Sequence, residues 1–218
     1  MALLVNISHL LGGVTKGRKF NGRETIEVPY LRVANVQDGF LDLEEIKSIE
    51  VLPEDIHKYH LEDGDILFTE GGDRDKLGRG TVWKEEIQGC IHQNHVYRAR
   101  LDSTDILPEF ISLAAKTEYS KDYFFRNASQ TVNLASINIS TLGGLPVPIP
   151  PKLEQQAICQ RVKESFDAIE NLRSFYQSVI DNADQLDQSI LAKAFRGELV
   201  PQDPNYEPGV VLLQRIRD

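Results

Sequence analysis

From Ile149 to Leu199 the chain reads IPPKLEQQAICQRVKESFDAIENLRSFYQSVIDNADQLDQSILAKAFRGEL, a proline-stopped entry followed by one uninterrupted helical pattern. Alternating steps of four and three meet Ile158, Val162, Ser165, Ile169, Leu172, Tyr176, Val179, Ala183, Leu186 and Ile190, with Ser165 the one polar member. This spacing is the a/d seam of a coiled coil, with Val162 at a and Ile158 at d. At 1.5 Å per residue a helix from about Glu154 to Phe195 runs roughly 60 Å, against about 35 to 40 Å for a globule built from the ~150 residues before it. Part of the helix must therefore outrun its domain and carry an apolar stripe that needs a second helix.

The borders of the helix are set by backbone chemistry. Gly143-Gly144-Leu145-Pro146-Val147-Pro148-Ile149-Pro150-Pro151 cannot be helical and favours an extended path, while Pro151 and Glu154 suit a helix N-terminus. Gly197 is a stop, Pro201 and Pro204 prevent resumption, and Val210 to Ile216 reads as a short final helix. The expected organisation is a globular domain over residues 1–148, a long spacer helix over 149–196 forming an antiparallel coiled coil, and a tail over 197–218.

Upstream, β-prone runs at Val28–Val36, Asp65–Thr69, Thr81–Trp83 and Ile91–Leu101 alternate with turn signals at Asp38-Gly39 and Asp63-Gly64. The spacing of Phe110, Leu113, Ala114, Thr117 and Phe124 predicts a helix from Pro108 to about Arg126. The fold class is α+β: a mixed α/β globular domain followed by one long coiled-coil helix.

Of 218 residues, 41% are hydrophobic and 26% charged, which fits a soluble globular protein and argues against disorder. Cys90 and Cys159 lie in different segments and cannot staple a framework, so a reducing compartment is expected. Met1 to Leu11 lacks a basic n-region and no apolar run approaches twenty residues, so a cytoplasmic protein without a membrane span is expected. The net charge of −9 is unevenly placed. Residues 41–70 hold ten Asp/Glu against two Lys/Arg, whereas residues 1–40 and 71–100 are each +2. An acidic chain can therefore still present a locally positive face.

The segment Gly71–Gly80 places four glycines and the basic residues Arg74, Lys76 and Arg79 between two strands. It is not a Walker loop, and it reads equally as a mobile hairpin connection or as a loop that tracks a phosphate backbone. Cys90, His92 and His95 invite a zinc reading, but four ligands are needed and no second Cys pair supports them, so Cys90 is expected in the core. The carboxamides of Gln93 and Asn94 suit bidentate bonding to adenine N6 and N7. Neither a Gly-x-Ser-x-Gly elbow nor an amino-methyltransferase or dinucleotide fingerprint is present, so catalysis by this chain has little support.

In combination these segments are recognisable. Leu145-Pro-Val-Pro-Ile-Pro-Pro151 with Glu154, Gln155 and Ile158, and Ala194-Phe-Arg-Gly-Glu-Leu-Val-Pro201 with Gln202-Asp203-Pro204, resemble the helix entry and exit of the specificity subunit of type I restriction-modification enzymes. Val28–Ala34, Gly64–Phe68 and Leu77-Gly78 resemble that family's target-recognition domain. Lys152 departs from the Leu that commonly follows the two prolines, and the chain has one domain and one helix where a full subunit has two of each.

The resemblance implies a non-catalytic DNA-recognition subunit, a half-length form reading a half-site of double-stranded DNA. The expected DNA-binding residues are Arg32, Arg74, Lys76, Arg79, Gln93 and Asn94. The dimerisation residues are Ile158, Val162, Ile169, Leu172, Tyr176, Val179, Leu186 and Ile190. Implied partners are a methyltransferase subunit, a restriction subunit and a second copy in a homodimer. S-adenosylmethionine and ATP are expected on the partner subunits, and this chain itself is expected to hold no cofactor or metal. The competing readings are a coiled-coil protein-binding adaptor, favoured by the acidic 41–70 segment, and a stand-alone DNA-modifying enzyme.

Overall fold

The computed structural model describes residues 1–72, 77–130, 135–201, 203 and 205–218. In chain order the elements are β1 (Ala2–Leu3), β2 (Ser8–Gly12), β3 (Ile26–Leu31), β4 (Lys47–Val51), α1 (Pro53–Tyr59), β5 (Ile66–Thr69), β6 (Gly71–Gly72), β7 (Gly80–Val82), β8 (Ile91–His92) and β9 (Val96–Leu101). There follow α2 (Pro108–Ala115), α3 (Glu118–Asn127), β10 (Ser129–Gln130), β11 (Ala135–Ser136), α4 (Ile139–Gly143), β12 (Pro146–Val147), α5 (Lys152–Phe195) and α6 (Gly209–Arg217). The chain divides into two compact units, Met1–Arg161 and Val162–Asp218.

The organising element of the first unit is an antiparallel four-stranded sheet in the order β2-β9-β5-β7. Ile66-Leu67-Phe68-Thr69 is a continuous run that is buried throughout, as expected of a strand covered on both faces. Its alternation separates two cores. Ile66 and Phe68 turn to one face with Tyr97 and Ala99 of β9, where Phe110, Ile111, Phe124, Leu142 and Leu145 cover them. Leu67 and Val96 turn to the other face, against Leu31, Leu61 and Trp83. A Phe68→Ala cavity between these layers would cost about 3 to 5 kcal/mol.

Pairing corrects several boundaries that local pattern suggests. The β-prone run from Val28 ends as a strand at Leu31 and turns into a short 3-10 helix, Val33–Asn35, whose start is fixed by Asn35 Oδ1 accepting from Arg32 N at 2.9 Å. Pro29 is tolerated because β8 pairs β3 only at Tyr30 and Leu31, leaving the missing N–H outside that ladder. Ile91–Leu101 is two strands in different sheets: β8 joins β3 and β4, and β9 joins the central sheet. The helix from Pro108 is interrupted at Lys116-Thr117. Thr117 is extended, its hydroxyl donates to Ala114 O at 2.8 Å, and its side chain caps α3 by accepting from Ser120 N.

Two motif residues prove to be packing devices. Gly78 adopts φ +63°, and a Cβ there would lie 2.3 Å from the Phe124 ring, so both backbone and space require glycine. Asp65 is buried and receives Arg100 through two bonds of 2.7 Å, from Nε and from Nη2, while Glu62 also pairs with Arg100. The Asp65 bond raises the Arg100 pKa.

α5 begins at Lys152 rather than at Pro151, whose carbonyl instead accepts from Glu154 N at 2.8 Å and Gln155 N at 3.1 Å. Gln155 is 1% exposed. Its Nε2 donates to Asp105 O and Pro150 O, and its Oε1 accepts from Leu107 N. Ile158, expected at the free seam, packs against the core of its own domain together with Cys159, so the open stripe starts later.

The second unit comprises the remainder of α5 and the nine-residue α6. Ile169, Leu172, Tyr176, Val179, Leu186 and Ile190 are all exposed, and Val162 is half-buried. Polar spacing on this helix includes the Gln177–Asp181 bond at 2.9 Å and the exposed Arg173–Glu170 pair, contacts of the kind worth only a few tenths of a kcal/mol. Among the described residues no helix is long and apolar enough to cross a membrane.

Candidate nucleic-acid interface

The register of the central sheet decides which loops meet. Gly12 lies opposite Tyr97, Thr69 opposite Val96, and Phe68 opposite Gly80. The C-terminal ends of β2 and β5 therefore share one sheet end with the N-terminal ends of β7 and β9. That end gathers the loop after β2, Glu70 to Gly72, Leu77 to Arg79, and the turn Gln93-Asn94-His95. The opposite end gathers Glu62, Asp63, Asp65, Glu85, Glu86, Asp102 and Asp105, with Lys84, Arg100 and Lys152, whose Nζ donates to Thr104 O, among the basic residues there. The domain is thus polarised along its strands.

The loop after β2 carries Lys16, Arg18, Lys19 and Arg23 against Glu24. Arg18 is bound to Asp55 of α1 at 2.7 Å, which raises its pKa, and Arg23 pairs with Glu54. Lys16 and Lys19 are exposed and have no carboxylate partner among the described residues. This loop is laid directly on the Gln93 turn: Val14 N donates to His92 O at 2.8 Å and Asn94 N to Val14 O at 2.9 Å. Gly13 permits the approach, since a Cβ there would sit 1.9 Å from His92 O.

The expected DNA-binding residues fare differently. Gln93 and Asn94 are half-buried on the turn, and Asn94 Nδ2 lies 3.3 Å from His95 Nε2. Arg79 reaches the same sheet end, where its Nη1 donates to Gln37 Oε1 at 3.1 Å and its Nε is buried without a partner. Arg32 is engaged elsewhere: its guanidinium donates to Glu45 O at 3.0 Å and pairs with the Glu45 carboxylate at 3.3 Å, so it braces the segment before β4. Arg74 and Lys76 lie outside the described residues.

The zinc-like trio is committed to other work. Cys90 is in the core, where burial pushes its thiol up to about 12. His92 is fully buried, its Nδ1 is 2.7 Å from Val96 O, and burial lowers its pKa to about 4. His95 pairs with Glu70. No group of three or more metal-ligating side chains converges among the described residues.

Sequence reasoning singled out neither Lys16 nor Lys19, took up His95 only as a zinc ligand, and missed the neutral edge beside Glu70 built by Asn127, Ser129, Ser136 and Asn138. β11 pairs with β6 beside Glu70, through Ala135 with Gly72 and Ser136 with Gly71. A usable signal existed: no charged residue occurs between Arg126 and Lys152, in a chain where 26% are charged.

The chain belongs to the type I restriction modification DNA specificity domain family, whose model it matches over residues 7–174. Among its relatives, the StySPI specificity subunit of Salmonella potsdam is 32% identical over 202 residues, covering 91% of this chain and 42% of that protein. The EcoKI specificity subunit of Escherichia coli K12 is 31% identical over 185 residues, covering 84% and 40%. The chain thus spans about two fifths of these relatives. In fold it is similar to the HsdS subunit from Thermoanaerobacter tengcongensis, with a TM-score of 0.62 at 13% identity over 95% of this chain and 50% of that one. A chain from a structure of type I R-M complex assembly gives 0.61 at 19% identity, over 90% and 45%.

Proposed function

We propose that this chain is a non-catalytic specificity subunit that reads a half-site of duplex DNA with the loop end of its central sheet and assembles through α5. The observation that carries this reading is the sheet register, which collects Lys16, Lys19, Arg79, Gln93 and Asn94 at one end of an otherwise acidic domain. Lysines there suit phosphates, and carboxamides suit base edges. The modest positive charge predicts weak non-specific binding, so affinity depends on matched base contacts.

The seam, exposed from Ile169 to Ile190, supports a homodimer of antiparallel helices. Phe166, Phe175 and Ile180 are exposed on positions flanking that seam, which makes the stripe wider than one helix covers. The extra width supports docking of a methyltransferase subunit against the same helix pair. S-adenosylmethionine and ATP would be bound by that subunit and by a restriction subunit, not by this chain.

A two-fold pair of identical domains reads identical half-sites, so the target is an inverted repeat interrupted by unspecified bases. Methylated adenines are to be mapped in DNA exposed to a methyltransferase complex containing only this specificity chain. An interrupted palindrome is expected; a single-block, non-palindromic target would overturn the symmetric arrangement.

A further inference from the structure

The loop end of the central sheet contains a carboxylate that phosphate binding does not explain. Glu70 follows β5 directly, and its backbone is fixed from both sides: its N–H donates to His95 O at 3.0 Å and its carbonyl accepts from Ile137 N at 2.8 Å. Its side chain, 30% exposed, is held by His95 Nδ1. It lies beside the Tyr97 hydroxyl, which donates to Ile137 O at 3.2 Å.

A cavity of ≈ 380 Å³ opens at this carboxylate, between Glu70 and the edge formed by Asn127, Ser129, Ser136 and Asn138. Its described lining includes no cation. Asn127 commits Nδ2 to Tyr123 O and Asn138 commits Oδ1 to Thr141 N, which leaves one carboxamide oxygen and one carboxamide NH₂ for a ligand. The lining is therefore a carboxylate acceptor among neutral hydrogen-bonding groups.

An acidic side chain at a DNA-facing surface repels phosphate, and deoxyribose offers it no donor in a duplex. In the major groove the groups that can satisfy it are the exocyclic amines of cytosine N4 and adenine N6, and Glu to cytosine N4 is an established geometry of base readout. Resting on the DNA-recognition reading above, we propose that Glu70 is a specificity-determining residue that accepts from the exocyclic amine of a cytosine or adenine in the half-site. His95 positions it. Imidazole donation to one carboxylate oxygen fixes the side chain and leaves acceptor capacity for the base.

The test uses the assembled methyltransferase complex with the native chain and with Glu70→Ala. After the native target has been mapped, duplexes are made in which each half-site cytosine or adenine, other than the adenine that accepts the methyl group, is replaced singly by pyrimidin-2-one or purine, which lack the amine. One such replacement should lower methylation by the native complex about tenfold or more, and the Glu70→Ala complex should be indifferent to that same replacement. A native complex indifferent to every amine deletion overturns the proposal even where the variant fails to fold. A uniform loss on all sequences in Glu70→Ala, with the target unchanged, overturns it as well. If the native chain directs no methylation to any motif, the recognition reading falls and this proposal with it.

Discussion

Gln155 Oε1 accepts the backbone N–H of Leu107 at 2.9 Å, a bond spanning 48 residues that ties the first turn of α5 to the loop before α2. The same carboxamide donates to Asp105 O and Pro150 O. Every polar atom of a buried side chain is thereby used, and the helix is joined to its domain by hydrogen bonds as well as by Ile158. Gln155→Ala leaves two carbonyls and an N–H to find other partners, so unfolding free energy should fall by about 1 to 3 kcal/mol. Urea unfolding of the native chain and variant checks this; equal midpoints would remove Gln155 from the attachment.

His92 gives the domain a calculable acid sensitivity. The folded protein holds its imidazole at about 4 against the ordinary 6.5, mainly through burial. The unfolded chain therefore takes up the proton first as pH falls. The contribution is complete above pH 6.5, declines between 6.5 and 4, and levels off below, with a total of about 3 kcal/mol. His92→Leu should flatten the stability profile across that window by the same amount, about 3 kcal/mol, relative to the native chain. Parallel profiles would show that His92 does not titrate with folding.

The long helix was legible because a 3.5-residue repeat sustained from Val162 to Ile190 has no other stable reading. The fold class was legible for a related reason: β5 announces itself as a continuous apolar run. Strand partners were not, since β2 finds β9 across the intervening strands and nothing local in Ser8–Gly12 specifies that register. The site suffered most from this. Gln93 and Asn94 could be selected by chemistry, but the β2–β3 loop meets the Gln93 turn, and Ser136 and Asn138 meet Glu70, only through pairing. Conversely, Asp65, Gly78 and Gln155 lie in motifs that look functional from sequence, yet each serves the architecture: an Arg100 clamp, a fit against Phe124, and the Leu107 bond.

The seam makes a direct prediction about association. Leu172 is 67% and Val179 47% exposed, and both lie at d positions on the stripe. Leu172→Glu with Val179→Glu would place carboxylates where pairing demands apolar contact. Sedimentation at tens of micromolar, roughly, should show the native chain as a dimer and the double variant as a monomer. A native monomer under those conditions would sink the homodimer.

The exposed lysines of the β2–β3 loop and the carboxamides of the turn beneath them should fail in different ways. Lys16 and Lys19 have no carboxylate partner among the described residues, so each is free to neutralise one phosphate. Replacing both by Ala should weaken binding on every sequence and reduce the slope of log affinity against log salt by about 1.8, at ~0.9 per phosphate on duplex DNA. Gln93→Ala or Asn94→Ala should leave that slope unchanged while relaxing discrimination at one base by ~1 to 3 kcal/mol. Anisotropy titrations of the assembled complex on matched and mismatched duplexes, from low to moderate salt, separate the two effects. An unchanged salt slope in the double lysine variant would place the phosphate backbone away from this loop and exclude the basic sheet end as its contact.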